Sequence, residues 1–320
     1  SSIFLYVARM LNNGLVPYLH VFDHKGPLIY FIDALGWLIS PTSFLGIFIL
    51  DSFIFLLAMY LTYKLARRYV SADIAISIIV PISAIYHLLA CGGNMPEMYI
   101  IVFALISYLI CIQENAWSML DCIVMGLCVG AIFMLKLNMI TVACPIGLCW
   151  LWRQNKIKAL IGLIIGFMLV FAPIMLYFWV NDALYSFWEV YIVYNKIYSG
   201  SLNLLPEINR GFFIVAFIFF VAVYQYFFYD GSKKLKSIIQ LNLMYFFIAW
   251  AMVILSGGTF RYYGPILPAC ILPLSLLYCK LNKLLRHIAT TVAVSILIIA
   301  IMQRNLCHNN DDKILAMNEL

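Results

Sequence analysis

The sequence predicts an all-α fold: a polytopic transmembrane helix bundle with interfacial helices in its first outer loop. Three observations predict it. Apolar residues make up 65% of the chain and charged residues only 11%, whereas a soluble domain carries about a quarter charged residues. The apolar residues fall in continuous runs, many near the roughly twenty residues that one lipid crossing needs. Basic residues cluster at the ends of alternate runs, as in cytoplasmic loops. So few charges cannot cover a water-facing surface of this size, so the solvent is mostly lipid. A net charge of +6 would suggest nucleic acid in a soluble protein. Here the basic residues sit in short loops between apolar runs, and no nucleic-acid partner is expected.

Residues 1–42 read as an outer loop. Its first stretch, SSIFLYVARMLNNG, is amphipathic: Phe4, Leu5, Val7, Ala8 and Leu11 form an apolar face, while Arg9, Asn12 and Asn13 lie largely off it. Gly14 suits a C-cap, and this helix is expected along the membrane surface. Candidate spans follow at 43–66, 74–90, 97–113, 117–135, 138–152, 158–180, 211–229, 239–256, 263–281 and 286–302. The pair 117–135 and 138–152 also reads as one broken element. Continuous apolar runs exclude an alternating β-barrel, and backbone hydrogen bonding in lipid then requires helices. Residues 303–320 read as an outer tail, and 1–320 as a single membrane-embedded domain. The chain opens on Ser1 with no hydrophobic span before the first loop, so it reads as a fragment that begins inside a larger protein.

With residues 1–42 outside, the inner loops receive the tight clusters KLARR, RQNKIK, KKLK and KLNKLLR. This is the positive-inside pattern of a multi-pass membrane protein. The acids lean the other way: Asp23, Asp33, Glu97, Asp182, Glu189, Glu207, Asp311, Asp312 and Glu319 fall outside. The outer segment 181–210 adds Tyr and Trp, as interfacial elements do. A face mixing both signs with aromatics is more than solubility demands and suits a polar site. Cys111, Cys122, Cys128, Cys144, Cys149, Cys270 and Cys279 lie in or beside apolar runs and read as small buried hydrophobes.

Four stretches could carry chemistry. GLVPYLHVFDHKGPLIYFIDALG packs Asp23, His24 and Lys25 ahead of Gly26 and Pro27. Pro27 can start a helix, which would set the three polar residues at a helix N-terminus that favours anions. Lys25 could pair with a phosphate, and Asp23 could ligate a cation or accept a proton; the plain alternative is a wet interfacial loop. CGGNMPEMY sets Glu97 at the start of the next span, where an acid also serves simply as a first-turn charge. FMLKLNMI holds Lys136 and Asn138 between two apolar runs, so Lys136 is either paired and functional or snorkels to the surface. GGTFRYYGPILP carries Arg261, whose planar fork can clamp a phosphate, with Tyr262 and Tyr263 either stacking on a sugar or stopping at the interface. His20 and His24 read as hydrogen-bonded loop residues. Asp51, inside a span, is an unusual charge that is expected to pair within the bundle. No phosphate-cradling Gly loop, HExxH or zinc spacing is present.

VPYLHVFDHKGPLIYFIDALG resembles the first outer loop of membrane glycosyltransferases of the GT-C type, among them the protein O-mannosyltransferases and the aminoarabinose transferases of lipid A. Their loop reads like G-x-x-P-Y-x-D-x-F-x-H-K-x-P-L-x-Y. GGNMPE resembles the acid-bearing second outer loop, and FMLKLN and RYYGPILP resemble two later motifs. The likeness runs from about residue 3 to residue 270. It implies a sugar donor on polyprenyl phosphate, entering from the outer leaflet, and a glycan, lipid or protein acceptor. It assigns Asp23 and Glu97 to the catalytic acids, and His24, Lys25, Lys136, Asn138, Arg261, Tyr262 and Tyr263 to substrate and phosphate binding. It fixes no cofactor; a divalent cation would have Asp23 and Glu97 as its candidate ligands. The resemblance also implies a first transmembrane helix and, immediately before Ser1, a catalytic Asp, both absent from this sequence. Two rivals remain: a transporter or flippase of a lipid-linked or amphipathic substrate, which needs charges or broken helices near mid-membrane, and a structural membrane subunit.

Overall fold

The computed structural model describes residues 2–41, 43–90, 93–152, 156–200, 210–255 and 264–309. Among these there are helices and turns but no strand beyond an isolated bridge between Pro17 and Val21. Helix α1 (Ser2–Asn12) buries Phe4, Leu5, Val7 and Ala8 and leaves Arg9 and Asn12 exposed. It closes as the glycine signal requires. Gly14 takes φ +81°, its N–H bonds Leu11 O, and Leu15 N–H bonds Met10 O, each at 3.0 Å, which is a Schellman cap. Helix α2 (Pro27–Ile39) starts on proline after an extended Gly26 and packs against α1.

The long elements follow: α3 (Leu45–Ala66), α4 (Ala72–Ala90), α5 (Pro96–Cys111), α6 (Met119–Leu135), α7 (Cys144–Trp152) and α8 (Lys156–Val180). After a short α9 (Leu184–Phe187), a π-helical turn and α10 (Asn195–Gly200) come α11 (Arg210–Phe228), α12 (Lys233–Leu255), α13 (Leu267–Lys280) and α14 (Lys283–Asn309). Among the described residues, α3 and α8 are long and apolar enough to cross a membrane; other apolar helices are shorter. α3 exposes Leu45, Phe48, Phe53 and Leu56, and α8 exposes Ile157, Ile164, Leu169 and Trp179. Rows of exposed large apolar side chains are stable against lipid and not against water, so the protein has a membrane location.

Two features position the site. First, α6 and α8 share the most intimate helix contact. A Cβ on Gly126 would stand 2.2 Å from Leu163 O, and one on Gly166 would stand 2.0 Å from Ile123 O. GLCVG on α6 and GLIIG on α8 are small-xxx-small sequences that let two backbones touch. Second, the chain reverses at Lys136. That residue is extended, at φ −163° and ψ 111°, between α6 and a 3₁₀ turn over Leu137–Ala143. α7 then runs back to the far end of α5, where Cys149 Sγ lies 3.7 Å from Cys111 O. The residues 117–135 and 138–152 are therefore separate, antiparallel elements.

The segment after α8 folds over the first loop. Tyr18 stacks on Phe178 and Tyr191 at centroid distances of 5.5 and 6.4 Å. Tyr191 Oη donates to Phe133 O, and Asn195 Nδ2 donates to His24 O at 2.7 Å. Polar ties also run through the core: Tyr108 Oη donates to Asn242 Oδ1 at 2.6 Å, and Asn242 Nδ2 donates to Ala269 O at 3.0 Å.

Candidate functional site

α5 opens on Met95 as N-cap with Pro96 in its first turn, which places Glu97 beside the positive end of the helix dipole. Lys136 caps the C-terminus of α6, the negative end of that dipole. Because α5 and α6 pack together, these two ends meet. Lys136 Nζ donates to Glu97 Oε1 at 2.5 Å, with both side chains nearly excluded from solvent. Each charge thus sits at the helix end that favours it and beside its opposite. Lys136 does not snorkel to the surface. Asn138 follows in the 3₁₀ turn, half-buried, and its Oδ1 accepts no hydrogen bond among the described residues.

The first loop reaches the same place through a glycine. Gly26 N–H donates to Leu135 O at 3.1 Å, and a Cβ on Gly26 would stand 2.0 Å from Met134 O. Only a residue without a side chain brings this loop onto the end of α6. Upstream, the three polar side chains form a chain of contacts. Lys25 Nζ lies 2.6 Å from His24 Nε2, and His24 Nδ1 lies 3.6 Å from Asp23 Oδ1. An ammonium group can only donate, so His24 Nε2 accepts and Nδ1 carries the proton toward Asp23. Burial, and then the Lys25 charge, hold the His24 pKa below its usual value, which keeps the ring neutral for this role. Asp23 Oδ2 is buried and accepts no hydrogen bond among the described residues. The Lys25 carbonyl is held by Tyr18 Oη at 2.5 Å and Tyr30 Oη at 3.2 Å. Burial raises both phenols' pKa values, so they stay donors.

His24 also lies against the later segment, with Tyr198 and Tyr194 rings 5.0 and 5.7 Å away. His20 is a loop residue that accepts from Val16 N–H at 2.9 Å. Arg261, Tyr262 and Tyr263 lie outside the described residues. The next residue, Gly264, is buried, and a Cβ there would stand 4.0 Å from Glu97 Cβ.

A second polar cluster, which the sequence did not reveal as a cluster, adjoins α5. Asn94 N–H donates to Asp51 Oδ2 at 2.6 Å, Asn94 Nδ2 donates to Asp33 Oδ2 at 2.8 Å, and Tyr99 Oη donates to Asp51 Oδ1 at 3.2 Å. Asp51 stands out in the sequence as a charge inside a span; nothing in the spacing points to Asp33 and Asn94 as its neighbours. Burial pushes the Asp33 carboxyl up to about 7.

Among the described residues no group of three or more His, Cys, Asp or Glu side chains is disposed to hold a metal ion. Cavities of about 630 and 710 Å³ lie at the other end of α5, lined by Gln113, Glu114, Lys234 and Ile238.

The helical architecture has the fold seen in a GT-C membrane glycosyltransferase of known structure. That structure is ArnT from Cupriavidus metallidurans bound to undecaprenyl phosphate, one solved structure that this chain resembles. It superposes with a TM-score of 0.59 at 14% sequence identity, covering 95% of this chain and 58% of that one. The likeness shows the fold. No protein-family model and no curated protein matches the chain.

Proposed function

We propose that the protein is a glycosyltransferase that moves a sugar from a polyprenyl-phosphate donor to an acceptor hydroxyl at the outer face of a bacterial inner membrane. The observation that carries the reading is the meeting of three sequence-distant stretches: the Asp23-His24-Lys25 loop sits on the end of α6, where Lys136 is paired with Glu97. Scarce charges in an apolar protein gather there, and such groups in lipid mark function. The superposed ArnT structure holds undecaprenyl phosphate, which supports the same ligand class here.

In this mechanism the acceptor oxygen attacks the anomeric carbon. The bond from that carbon to the phosphate oxygen breaks, and the lipid phosphate leaves with the electron pair. The acceptor's proton passes to a carboxylate acting as general base. Asp23 is the better placed base, since Oδ2 has no hydrogen-bond donor on it among the described residues and His24 steadies Oδ1. Glu97, already held by Lys136, shapes the acceptor side. Lys25 meets the developing phosphate charge, where electrostatic stabilisation is most effective. Lys136, with a carboxylate partner, is the weaker phosphate ligand; Asn138, Arg261, Tyr262 and Tyr263 complete the proposed donor site. The topology that goes with this reading is multi-pass, with residues 1–42 and 181–210 outside and the KLARR, RQNKIK, KKLK and KLNKLLR loops inside.

Photo-crosslinking tests the donor site directly. A polyprenyl phosphate with a reactive group near its phosphate should label the full-length protein in the peptide containing Lys25, and Lys25→Ala should lose most of that label. Labelling confined to the inner-end cavities would reject the site. A flippase would instead move a lipid-linked sugar across liposomes with no acceptor present, and the transferase reading predicts no such movement.

A further inference from the structure

The segment that delivers Glu97 turns through left-handed backbone and is tied down there from two other helices. Asn94 has φ +47° and Gly93 φ +92°; glycine and asparagine enter this region more readily than other residues, and a β-branched residue does not. The groups that hold the turn are two carboxylates from elsewhere in the chain, Asp51 on α3 and Asp33 on α2. Asp51 grips α5 on both sides of Glu97, accepting from the Asn94 backbone at 2.6 Å before it and from the Tyr99 hydroxyl at 3.2 Å after it. Asp33, fully buried, accepts the Asn94 side-chain amide at 2.8 Å. No Lys or Arg pairs with Asp51 or Asp33 among the described residues. Both carboxyl groups are therefore directed at this loop.

We propose that Asp51, assisted by Asp33, is a positioning residue: by locking Asn94 in its left-handed turn it fixes the first turn of α5, and with it the register of Glu97 against Lys136. The inference rests on the transferase reading for its consequence on turnover, and on geometry alone for its consequence on the ion pair. A carboxylate inside a span is costly. A carboxylate that only filled space would not need two donors spaced to bracket Glu97. Because Asp51 acts through Glu97 and does not touch the donor, its loss falls on kcat more than on donor KM.

The experiment uses the full-length protein in nanodiscs and two independent readouts. The first is the acylation rate of Lys136 by a small amine-reactive reagent, read by peptide mass spectrometry; it does not depend on activity. Glu97→Gln, which removes the partner, sets the fast limit. Asp51→Ala and Asn94→Val should approach that limit. Asp51→Asn, which still offers the Asn94 N–H an acceptor oxygen, and Asn94→Gly, which tolerates positive φ, should stay near the wild-type rate. Should Asp51→Ala fail to assemble, the Asn94→Val and Asn94→Gly contrast reads the same turn. The second readout is sugar transfer: Asp51→Ala should lower kcat about 10²-fold, the scale of a misplaced catalytic group, with rescue by Asp51→Asn. Wild-type labelling in both Asp51→Ala and Asn94→Val overturns the inference, and so does a Glu97→Gln rate no faster than wild type. A wild-type protein that transfers no sugar sinks the transferase reading instead, and the labelling contrast still decides the positioning role.

Discussion

Lys136 Nζ lies 2.5 Å from Glu97 Oε1, with the two side chains 8% and 7% exposed, across the junction of the α6 C-terminus and the α5 N-terminus. Breaking a buried pair by removing one member leaves an uncompensated charge and costs about 3–5 kcal/mol, whereas replacing both members is far cheaper. Lys136→Ala and Glu97→Gln should therefore each lower the thermal unfolding midpoint in detergent. The double variant Glu97→Gln/Lys136→Met should recover most of that loss while remaining inactive. A double variant no more stable than the singles would show that the two groups do not interact.

Gly26 is set against the α6 backbone, where a Cβ would stand 2.0 Å from Met134 O. Gly26→Ala must push the first loop off that helix end, at a cost of about 1–3 kcal/mol for overpacking. It should also displace Lys25 and depress donor binding. Gly147→Ala on α7 is the control, since nothing lies within 4 Å of a Cβ there; gaining helix propensity, it should be neutral or stabilising by up to about 1 kcal/mol. Equal melting shifts for the two variants would contradict the close approach.

Asp33 supplies a pH dependence. Its carboxyl is pushed up to about 7 by burial, above the roughly 3.9 of an unfolded chain. The folded state therefore binds the proton more tightly, and this contribution is full below about pH 4 and lost as pH rises through about 7. The stability of the wild type relative to Asp33→Asn should fall between pH 4 and pH 7 and level off above. A difference that stays flat over that window, or that grows with pH, would contradict the burial of this carboxyl.

The contact between the later segment and the first loop makes a fourth prediction. Asn195→Ala removes the hydrogen bond to His24 O, worth about 1 kcal/mol. It should raise donor KM with little change in kcat, because Asn195 braces the loop and not the carboxylates. A kcat effect without a KM effect would place Asn195 nearer the reacting atoms.

The helices are legible in the sequence because lipid leaves so few options: a continuous apolar run must be a helix, and basic clusters and glycines mark its ends. The helices over 45–66 and 156–180 lie within a few residues of the expected 43–66 and 158–180. GLCVG and GLIIG permit the close contact of α6 and α8, but small-residue spacing alone does not say which helix is the partner. The individual polar motifs are visible as rare polar groups among apolar ones. Their pairing is not, since the partnership of Glu97 with Lys136, or of Asp51 with Asn94, joins residues 39 and 43 positions apart. Such contacts are set by which helix ends the packing brings together, and local periodicity carries no record of that. Lys136 illustrates the difference: its sequence context allows snorkelling, and the meeting of two helix ends decides for burial.

Under the proposed function, the charges gathered at this junction serve sugar transfer from a lipid phosphate. The direct test is transfer of a labelled sugar from a polyprenyl-phosphate donor by the full-length protein in proteoliposomes, with wild type, Glu97→Gln and Lys136→Ala compared after each is shown to be folded. The wild type should transfer the sugar, and both variants should lose about 10²-fold or more of that rate. Rates unchanged in both variants would contradict a role for this junction in transfer.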